Sequence, residues 1–574
     1  MNIIERAWSW IAQDPDIETR RELEALIDRG DMAAVEERFA GTLQFGTAGL
    51  RGLLGAGPTR MNRVTVARTT AGLCAWLKQQ VPDASTRGIC VGRDARLNSD
   101  VFERDVIEVA AAAGIPVWFF SDVVPTPVLA FAVLRCHAAA GVMITASHNP
   151  PGYNGCKVYW ENGAQIIPPH DRGIAEAIER APSAVEIPRL SIDEAQEKKL
   201  LRELGSVRED YIERIAGEVK DSKIPAGVRI AYTALHGVAE DTCRKVLARA
   251  GFEDVHSVSE QAAPDGQFPT VVFPNPEEPG TMDLVLALAE RIEADVVIAN
   301  DPDGDRVAVA VRGKNGFEPL SGNDIGLLLA DDLLHGYRGR GQPVVISTVV
   351  SSPMLGPVAA SYGARWEQTL TGHKWIQNRA LELELEGFDY VFGYEEALGY
   401  APSLAVRDKD GISSALRVAV MVSHLKARGA TLLDARDALW RKHGCFVDRQ
   451  VSVRFEGADG EARMNAVVDR YRETPPAEIG GHAVRRMLDL ERQVQRTPMG
   501  ASPLTGRAPS NVLIFELEGG HQAMLRPSGT EPKLKYYFYA TAPTSAQADL
   551  AESKKRAFAV LESMVEDLTR SSDC

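Results

Sequence analysis

The order of apolar and polar positions divides the chain into a helical start, three α/β segments and a mixed tail. Residues 1–40 show polar helical periodicity and predict an N-terminal helical extension. From residue 87 on, short apolar runs alternate with stretches of helical period, which is typical of βαβ units. In the first segment we predict strands and helices at 88–92, 98–113, 115–120, 127–136 and 139–145.

Two further segments repeat this order, and the tail departs from it. The second segment predicts strands and helices at 228–233, 238–250, 255–258, 282–292 and 295–299. The third predicts them at 323–334, 343–348, 353–362, 365–369 and 390–392. In the tail, strands at 511–517, 522–525 and 534–540 precede a long helix at 545–568, which predicts a smaller α+β domain.

In each α/β segment the last strand runs directly into a polar loop. The three loops contain Ser147, Asp301 and Glu395. Loops at the carboxyl ends of parallel strands are where α/β folds build their binding sites. These three loops are therefore the first places to look for chemistry.

Composition narrows the class of protein. A chain of 574 residues is long enough for several domains, and its formal net charge of -15 argues against nucleic acid or an anionic membrane as the main partner. No signal peptide and no membrane-spanning run are visible. The seven cysteines include no CxxC pair, which fits reduced thiols in a cytoplasmic protein.

The second loop contains three closely spaced carboxylates. Asp301, Asp303 and Asp305 alternate with Pro302 and Gly304, which favour a tight bend that brings the carboxylates to one point. Oxygen ligands suit a hard cation such as Mg²⁺, Mn²⁺ or Ca²⁺, although the spacing is not that of an EF-hand. The alternative is a solvated acidic turn, but the apolar strands on both sides favour a rigid metal site.

The first loop presents a serine between an apolar strand and two prolines. The common role of Ser147 in this position is to cap a turn or helix. A Ser–His hydrolase is a second interpretation, but no GxSxG elbow is present and His148 is too close in sequence to act as the base. The third interpretation is a serine that accepts and returns a phosphoryl group, which a nearby metal ion supports.

A loop in the tail is rich in phosphate-binding groups. Residues 526–533 carry Arg526, Ser528, Gly529, Thr530 and Lys533. Backbone N–H groups, hydroxyls and two cations suit a phosphate dianion, although the GxxxxGK[ST] pattern of nucleotide-binding P-loops is absent. An ordinary hairpin turn is the alternative.

The third loop and three other positions carry groups suited to a sugar and to proton transfer. The carboxylates of Glu395 and Glu396 can accept hydrogen bonds from sugar hydroxyls, or they can belong to a solvated turn. Transfer to a hydroxyl also needs an acid and a base. The candidates are Arg51, Lys157 and the neighbouring pair His373 and Lys374.

Together these stretches resemble the α-D-phosphohexomutase superfamily. The matching motifs are TASHNP at 145–150, DPDGDR at 301–306, GYEEALG at 393–399 and RPSGTEP at 526–532. The resemblance implies an α/β fold with three similar mixed α/β domains and a smaller C-terminal α+β domain around a central cleft. We expect the domains at residues 1–200, 201–315, 316–440 and 441–574.

The resemblance also implies roles for individual residues. Ser147 is expected to be phosphorylated and to bind one Mg²⁺ per chain together with Asp301, Asp303 and Asp305. Glu395 is expected to contact sugar hydroxyls. The other expected site residues are the acid/base group Arg51, Lys157 and His373, the phosphate ligands Arg526, Ser528, Gly529 and Thr530, and the substrate contacts His148, Arg306, Thr371, Lys374 and Lys409.

The implied activity is a mutase that converts a sugar 1-phosphate into a 6-phosphate through a bisphosphorylated intermediate. Glucose is the expected sugar, followed by mannose, with a glucose 1,6-bisphosphate-type activator. The chain is expected to act as a monomer or homodimer. Many glucose-specific relatives have a serine where this chain has Ala397, which leaves a phosphopentomutase or a sugar bisphosphate synthase as alternatives. A metal-dependent phosphatase and a non-catalytic sugar-phosphate sensor are the remaining hypotheses.

Overall fold

The computed structural model of the chain describes residues 2–44, 49–220, 222, 224–455, 459–528, 533–544 and 549–570. The predicted helical extension and the three α/β segments are confirmed within these residues. None of the described helices is both long and apolar enough to cross a membrane. The first part of the chain contains α1 Ile3–Ile11, α2 Ile17–Asp28, α3 Met32–Arg38, β1 Leu50–Leu53, α4 Arg63–Gln80, α5 Ala84–Arg87, β2 Ile89–Arg93, α6 Ser99–Ala112, β3 Val117–Phe119, α7 Thr126–Arg135, β4 Ala140–Ile144, β5 Tyr153–Trp160, α8 His170–Glu179, α9 Ile192–Glu197, β6 Leu201–Glu203 and α10 Val207–Gly217.

The middle and the tail follow the predicted order with additional strands. The middle contains β7 Ile230–Thr233, α11 Glu240–Arg249, β8 Val255–Ser257, α12 Ser259–Ala262, α13 Asp283–Ile292, β9 Val296–Asn300, β10 Val307–Gly313, β11 Gly316–Pro319, α14 Gly322–Gly336, β12 Gln342–Thr348, α15 Leu355–Ser361, β13 Arg365–Thr369, α16 His373–Leu385, β14 Phe388–Glu395, β15 Gly399–Ala401, α17 Gly411–Ala427 and α18 Leu432–His443. The tail contains β16 Cys445–Arg454, α19 Gly460–Glu473, β17 Glu478–Ile479, β18 His482–Asp489, β19 Val494–Thr497, β20 Gly500–Pro503, β21 Leu513–Leu517, β22 Gln522–Pro527, β23 Lys533–Ala542 and α20 Leu550–Arg570.

These elements form two compact units. The larger unit comprises residues 1–320, 372–381 and 397–429, and the smaller unit comprises residues 321–371, 382–396 and 430–574. The predicted boundaries of the four domains, at 200, 315 and 440, stay a prediction.

Two mixed sheets lie in the larger unit. The first has the strand order β1-β5-β4-β2-β3-β6, with β2 parallel to β3 and β4, and with β5 antiparallel to β4. The second has the order β11-β10-β9-β7-β8, in which β7 and β9 are parallel and β9 and β10 form an antiparallel hairpin. All residues of β4 and β9 are buried, as expected for central strands covered on both faces.

The N-terminal extension packs as a small helical cluster on this unit. Trp10, Leu23 and Val35 are buried in it together with Val64, the second residue of α4. The helix α1 begins with a capping box, because the side chains of Asn2 and Glu5 accept hydrogen bonds from each other's backbone N–H.

The smaller unit holds a parallel sheet and a separate antiparallel sheet. The strands β13, β12 and β14 pair in parallel in that order. The tail strands pair in the order β16-β23-β22-β21-β18-β19-β20, and the pairs along it are antiparallel. This antiparallel sheet with the helices α19 and α20 confirms the predicted α+β tail, although β16 to β20 were not predicted.

Candidate active site

The loop after β4 holds Ser147 in an unusual backbone conformation. Its φ is 52°, in the left-handed region that non-glycine residues rarely adopt, and its N–H donates to Thr145 Oγ1 at 2.8 Å. The residue is only 1% exposed. Such strain persists where the surroundings determine the conformation, and it is found most often at functional sites.

A buried arginine that the sequence analysis missed holds this loop in place. Nη2 of the Arg96 guanidinium donates to Ser147 O at 2.7 Å and to Asn149 O. Nη1 donates to Pro150 O at 3.0 Å and to Tyr153 O at 3.1 Å. One side chain thus satisfies four carbonyls of the serine loop. The only signal in the sequence was its place in the loop that follows β2.

The aspartate loop connects β9 and β10. Asp301, Asp303 and Asp305 are fully buried, and one carboxylate oxygen from each lies within 4.8 Å of those from the other two. Gly304 has φ 72° and makes the bend that the sequence predicted. The three carboxylates therefore converge on one point.

The serine loop and the aspartate loop are in direct contact. Ser147 Oγ donates to Asp301 Oδ2 at 3.0 Å, and the other oxygen of Asp301 accepts from the backbone N–H of Arg306 at 2.9 Å. Burial raises the pKa of Asp301 well above its usual range, and the charges of Asp303 and Asp305 raise it further. The carboxyl beside the serine thus sits in strongly negative surroundings.

Two lysines offset part of this negative charge. The ammonium of Lys157, on β5, donates to Asp303 Oδ2 at 2.7 Å and to Asp305 Oδ2 at 2.6 Å. The ammonium of Lys409 lies 3.1 Å from Asp305 Oδ2. Although burial alone would raise it, the pKa of Asp305 lies below its usual range because of Lys157 and Lys409.

The aspartates keep suitable oxygens for a cation. Both Asp303 Oδ1 and Asp305 Oδ1 are buried and have no hydrogen-bond partner among the described residues. Buried polar atoms are normally paired, so two such carboxylate oxygens in one cluster fit a divalent metal ion. Of the described residues, only this cluster has three potential ligands that could hold a metal ion.

Two arginines lie next to the carboxylates. Arg51, on β1, donates to Asn149 Oδ1 at 3.3 Å, and its buried Nε has no hydrogen bond among the described residues. Burial lowers the pKa of Arg51. The Arg306 side chain donates to the carbonyl of Ala397 at 2.6 Å. The Nε donor of Arg51, on a guanidinium group that contacts the serine loop, suits an oxygen of a phosphoryl group.

Three further predicted residues lie in the larger unit. His148 Nδ1 lies 3.4 Å from Ser147 Oγ. At the start of α16, the ring of His373 lies with Nε2 3.1 Å from Gly399 O, and burial lowers the pKa of the adjacent Lys374. The structure therefore brings Ser147, Lys157 and Lys409 together around the three aspartates. His148 contacts this network through Ser147.

Asp408 is a second residue that sequence reasoning missed. Its Oδ2 accepts from Tyr159 Oη at 2.7 Å and from Gln165 Nε2 at 2.6 Å, and its Oδ1 accepts from the backbone N–H of Lys409 at 2.8 Å. These bonds fix the loop that carries Lys409. The alternating charges of its sequence, Arg407 to Asp410, were the available signal.

The smaller unit contains the remaining predicted residues. Glu395 is the last residue of β14 and is 8% exposed, and Thr371 Oγ1 is buried without a hydrogen bond among the described residues. Arg526 lies on β22, and the N–H of Ser528 donates to Lys533 O at 2.8 Å. The predicted phosphate ligands Gly529 and Thr530 lie outside the described residues.

Glu396, next to Glu395, is held by hydroxyl groups. Its Oε2 accepts from Thr348 Oγ1 and from Ser351 Oγ, both at 3.1 Å. Burial raises the pKa of Glu396, and the charge of Glu395 adds to the effect, while Lys535 and Arg526 oppose it. The charge of Arg526, on β22, therefore acts on the carboxyl group of Glu396 within the smaller unit.

Comparison with known protein families shows which family the chain belongs to. Residues 42–184, 209–315 and 321–443 match, in order, the alpha/beta/alpha domains I, II and III of phosphoglucomutase/phosphomannomutase. The chain belongs to the phosphoglucomutase/phosphomannomutase family. Family members share the fold, since a phosphoglucomutase/phosphomannomutase family protein from Burkholderia thailandensis superposes with a TM-score of 0.65 at 20% identity, covering 91% of this chain and 98% of that one.

Relatives in the family carry different names. A probable phosphomannomutase of Haemophilus influenzae is 39% identical over 85% of this chain and 95% of its own length. A human phosphopentomutase is 34% identical, with 93% and 90% covered. A human glucose 1,6-bisphosphate synthase is 32% identical, with 98% and 94% covered.

Family membership defines the class of enzyme. The chain is a phosphosugar mutase, an isomerase that acts on small sugar phosphates. The predicted resemblance to the α-D-phosphohexomutase superfamily is thereby confirmed. The names of the relatives differ in the sugar, so they do not identify the substrate.

Proposed function

We propose that this enzyme moves a phosphoryl group between Ser147 and two oxygens of one hexose, with glucose 1-phosphate and glucose 6-phosphate as its preferred pair. One observation carries the proposal: the hydroxyl of Ser147 donates to Asp301 at 3.0 Å, inside a buried cluster of three aspartates. A serine held in this way can carry a phosphoryl group among groups that stabilise its charge.

The reaction has two half-reactions that use no water. In the first, the P–O bond of phosphoserine breaks and a P–O bond to a sugar hydroxyl forms; the proton of that hydroxyl passes to a base, and the released Ser147 oxygen takes up a proton. The resulting bisphosphate turns round, the P–O ester bond of its other phosphate breaks, and a P–O bond to Ser147 Oγ forms; the serine proton passes to a base, and the released sugar oxygen takes up a proton. Arg51, Lys157 and His373 are the proposed acid/base group, and a glucose 1,6-bisphosphate-type molecule is the activator.

We propose Mg²⁺ as the cofactor, held by the phosphoserine oxygens together with Asp301, Asp303 and Asp305. When bound, it supplies positive charge to the oxygens of the phosphoryl group. The buried Asp303 Oδ1 and Asp305 Oδ1, which accept no hydrogen bond among the described residues, support this assignment. Lys157 orients the other oxygen of each of these two carboxylates.

The remaining site residues are proposed as substrate contacts. Glu395 accepts hydrogen bonds from sugar hydroxyls, and the effect of Arg526 on the pKa of Glu396 supports a common role for the third loop and the phosphate loop. The proposed ligands of the non-reacting phosphate are Arg526, Ser528, Gly529 and Thr530. The other proposed contacts are His148, Arg306, Thr371, Lys374 and Lys409.

A panel of sugar 1-phosphates tests the substrate. Glucose, mannose, glucosamine and ribose 1-phosphates are compared by kcat/KM in the presence of Mg²⁺ and the matching bisphosphate. We expect the highest value for glucose 1-phosphate and no inorganic phosphate released during turnover. A higher value for ribose 1-phosphate supports the phosphopentomutase alternative, which the human relative favours. Release of one phosphate per substrate consumed contradicts the mutase and supports a phosphatase.

A further inference from the structure

The first residue of α7 contacts the aspartate loop from a distant part of the sequence. Thr126 Oγ1 donates to Asp303 Oδ2 at 2.6 Å, and the backbone N–H of Thr126 donates to Asp303 O at 2.9 Å. Both residues are fully buried. One residue therefore holds the backbone and the side chain of Asp303 at the same time.

The local sequence explains why this contact forms. A helix begins with N–H groups that have no partner within the helix, and its N-terminus favours negative charge. Pro127, the second residue of α7, has no N–H, and the N–H groups of Val128 and Leu129 donate to Pro125 O. The N–H of Thr126 is thus left for the aspartate loop.

The contact also determines which oxygen of Asp303 is left without a hydrogen bond among the described residues. Asp303 Oδ2 accepts from Thr126 and, at 2.7 Å, from the ammonium of Lys157. Its Oδ1 is buried and has no hydrogen bond among the described residues. Two donors on one oxygen fix the rotation of the carboxylate, so the other oxygen stays directed away from them. Lys157 supplies charge, whereas Thr126 supplies a neutral bond of defined direction.

We propose that Thr126 is a positioning residue for the metal ion, because its hydroxyl orients the Asp303 carboxylate for coordination. The inference rests on the proposed metal site. Outer hydrogen-bond partners of metal ligands commonly determine affinity in this way. Thr126 and Asp303 belong to separately matched domains of the family, at residues 42–184 and 209–315, so the contact couples their packing to metal affinity.

Direct measurement of metal binding tests this role. The full-length chain and its variants are titrated with Mn²⁺, and free Mn²⁺ is followed by electron paramagnetic resonance. Thr126→Val replaces the hydroxyl with a methyl group, and we expect Mn²⁺ to bind about ten- to a hundredfold more weakly. Thr126→Ser keeps the hydroxyl, so its affinity should remain close to that of the unchanged chain. Intact mass confirms that all samples carry the same amount of phosphate.

Thr70→Val is the matched control. Thr70 is also a buried threonine in the larger unit, and its hydroxyl donates to Val66 O within α4 at 2.8 Å. Losing this hydroxyl should lower the free energy of unfolding without changing Mn²⁺ affinity. If Thr126→Val does not fold, Thr126→Ala tests the same bond with the same expectation.

Three results overturn the inference, and one of them concerns the metal site itself. Unchanged Mn²⁺ affinity in a folded Thr126→Val variant contradicts the positioning role. An equal loss in Thr70→Val shows that any buried hydroxyl has the effect. Absence of Mn²⁺ binding in the unchanged chain overturns the proposed metal site. This outcome differs from the other two because no sample, unchanged or variant, then binds Mn²⁺.

Discussion

Two buried acidic loops at strand ends differ in how their carboxylates are stabilised. In the larger unit, Asp305 accepts from the ammonium of Lys157, and Lys409 lies beside it, so the pKa of Asp305 stays below its usual range despite burial. In the smaller unit, Glu396 accepts from the hydroxyls of Thr348 and Ser351, and burial raises its pKa.

The difference between ammonium partners in one loop and hydroxyl partners in the other indicates that the two loops are suited to different tasks. Carboxylates that are paired with ammonium groups in a buried cluster can hold a cation beside a phosphoryl group. A carboxylate that accepts from neutral hydroxyls is held in a defined orientation, which suits the support of a neighbouring side chain. These contacts support the proposals that phosphoryl transfer takes place at the aspartate loop and that Glu396 supports Glu395, the proposed sugar ligand.

Removing the Lys157 ammonium, which contacts the aspartate loop from β5, should have the largest effect on activity. In Lys157→Met, three buried carboxylates lose the cation that bridges two of them, and a proposed proton carrier is lost. We expect kcat of glucose 1-phosphate conversion to fall by about 10²–10⁴-fold. Lys245→Met is the control, because Lys245 is an exposed lysine of the same unit, paired with Asp241. A kcat equal to that of the unchanged enzyme would refute the assigned role of Lys157.

Removing a hydroxyl from Glu396 should have a smaller and different effect. Thr348→Val leaves Glu396 with one hydroxyl partner, so the neighbouring Glu395 is less well positioned. We expect KM for glucose 1-phosphate to rise about tenfold, or about 1.4 kcal/mol, with little change in kcat.

Ser361→Ala is the control for Thr348→Val. The Ser361 hydroxyl lies in the smaller unit and donates to Val358 O at 2.8 Å within α15. Its loss should leave KM unchanged. If Thr348→Val lowered kcat and not KM, Glu396 would belong to the chemical step, and the contrast between the two loops would fail.

The smallest effect on activity is expected at a carboxyl that has no ammonium partner among the described residues, where the change acts on stability. Burial raises the pKa of Asp448, on β16, to about 7, while its Oδ2 accepts from Asn323 Nδ2 at 3.1 Å. In the unfolded chain this pKa is about 4, so between these values unfolding releases a proton and stability falls as pH rises. Asp448→Asn should remove this dependence.

Urea unfolding at pH 5 and pH 8 measures the effect. Between pH 5 and pH 8, the free energy of unfolding of Asp448→Asn should rise by about 2 kcal/mol relative to that of the unchanged chain. The same measurement on Asp434→Asn serves as a control, because Asp434 is a helix-capping carboxyl whose pKa is lowered by hydrogen bonds from Thr431. A difference between Asp448→Asn and the unchanged chain that does not vary with pH would contradict the assignment.

Much of the fold and the centre of the site could be predicted from the sequence. Ser147, Asp301, Asp303 and Asp305 lie in short motifs at the ends of apolar strands, and such loops are rigid and easy to recognise. The strand β5 was missed because both of its faces are buried, so it lacks the alternation of a half-exposed strand. It carries Lys157, whose contacts with the aspartates no local pattern encodes.

The supporting residues could not be predicted for a similar reason. Arg96, Thr126 and Asp408 act through partners that lie 51, 177 and 249 residues away in the chain. Each is an ordinary polar residue in its local sequence. Only the fold shows that Arg96 serves the serine loop, Thr126 serves Asp303, and Asp408 fixes the loop of Lys409.

The central claim is that Ser147 carries the transferred phosphoryl group. The most direct measurement incubates the full-length chain with glucose 1,6-bisphosphate and Mg²⁺ and then identifies the phosphorylated peptide by mass spectrometry. We predict one phosphate on Ser147 of the unchanged chain and none on the same peptide of Ser147→Ala. Phosphate on another residue, or sustained turnover by Ser147→Ala, would contradict the account.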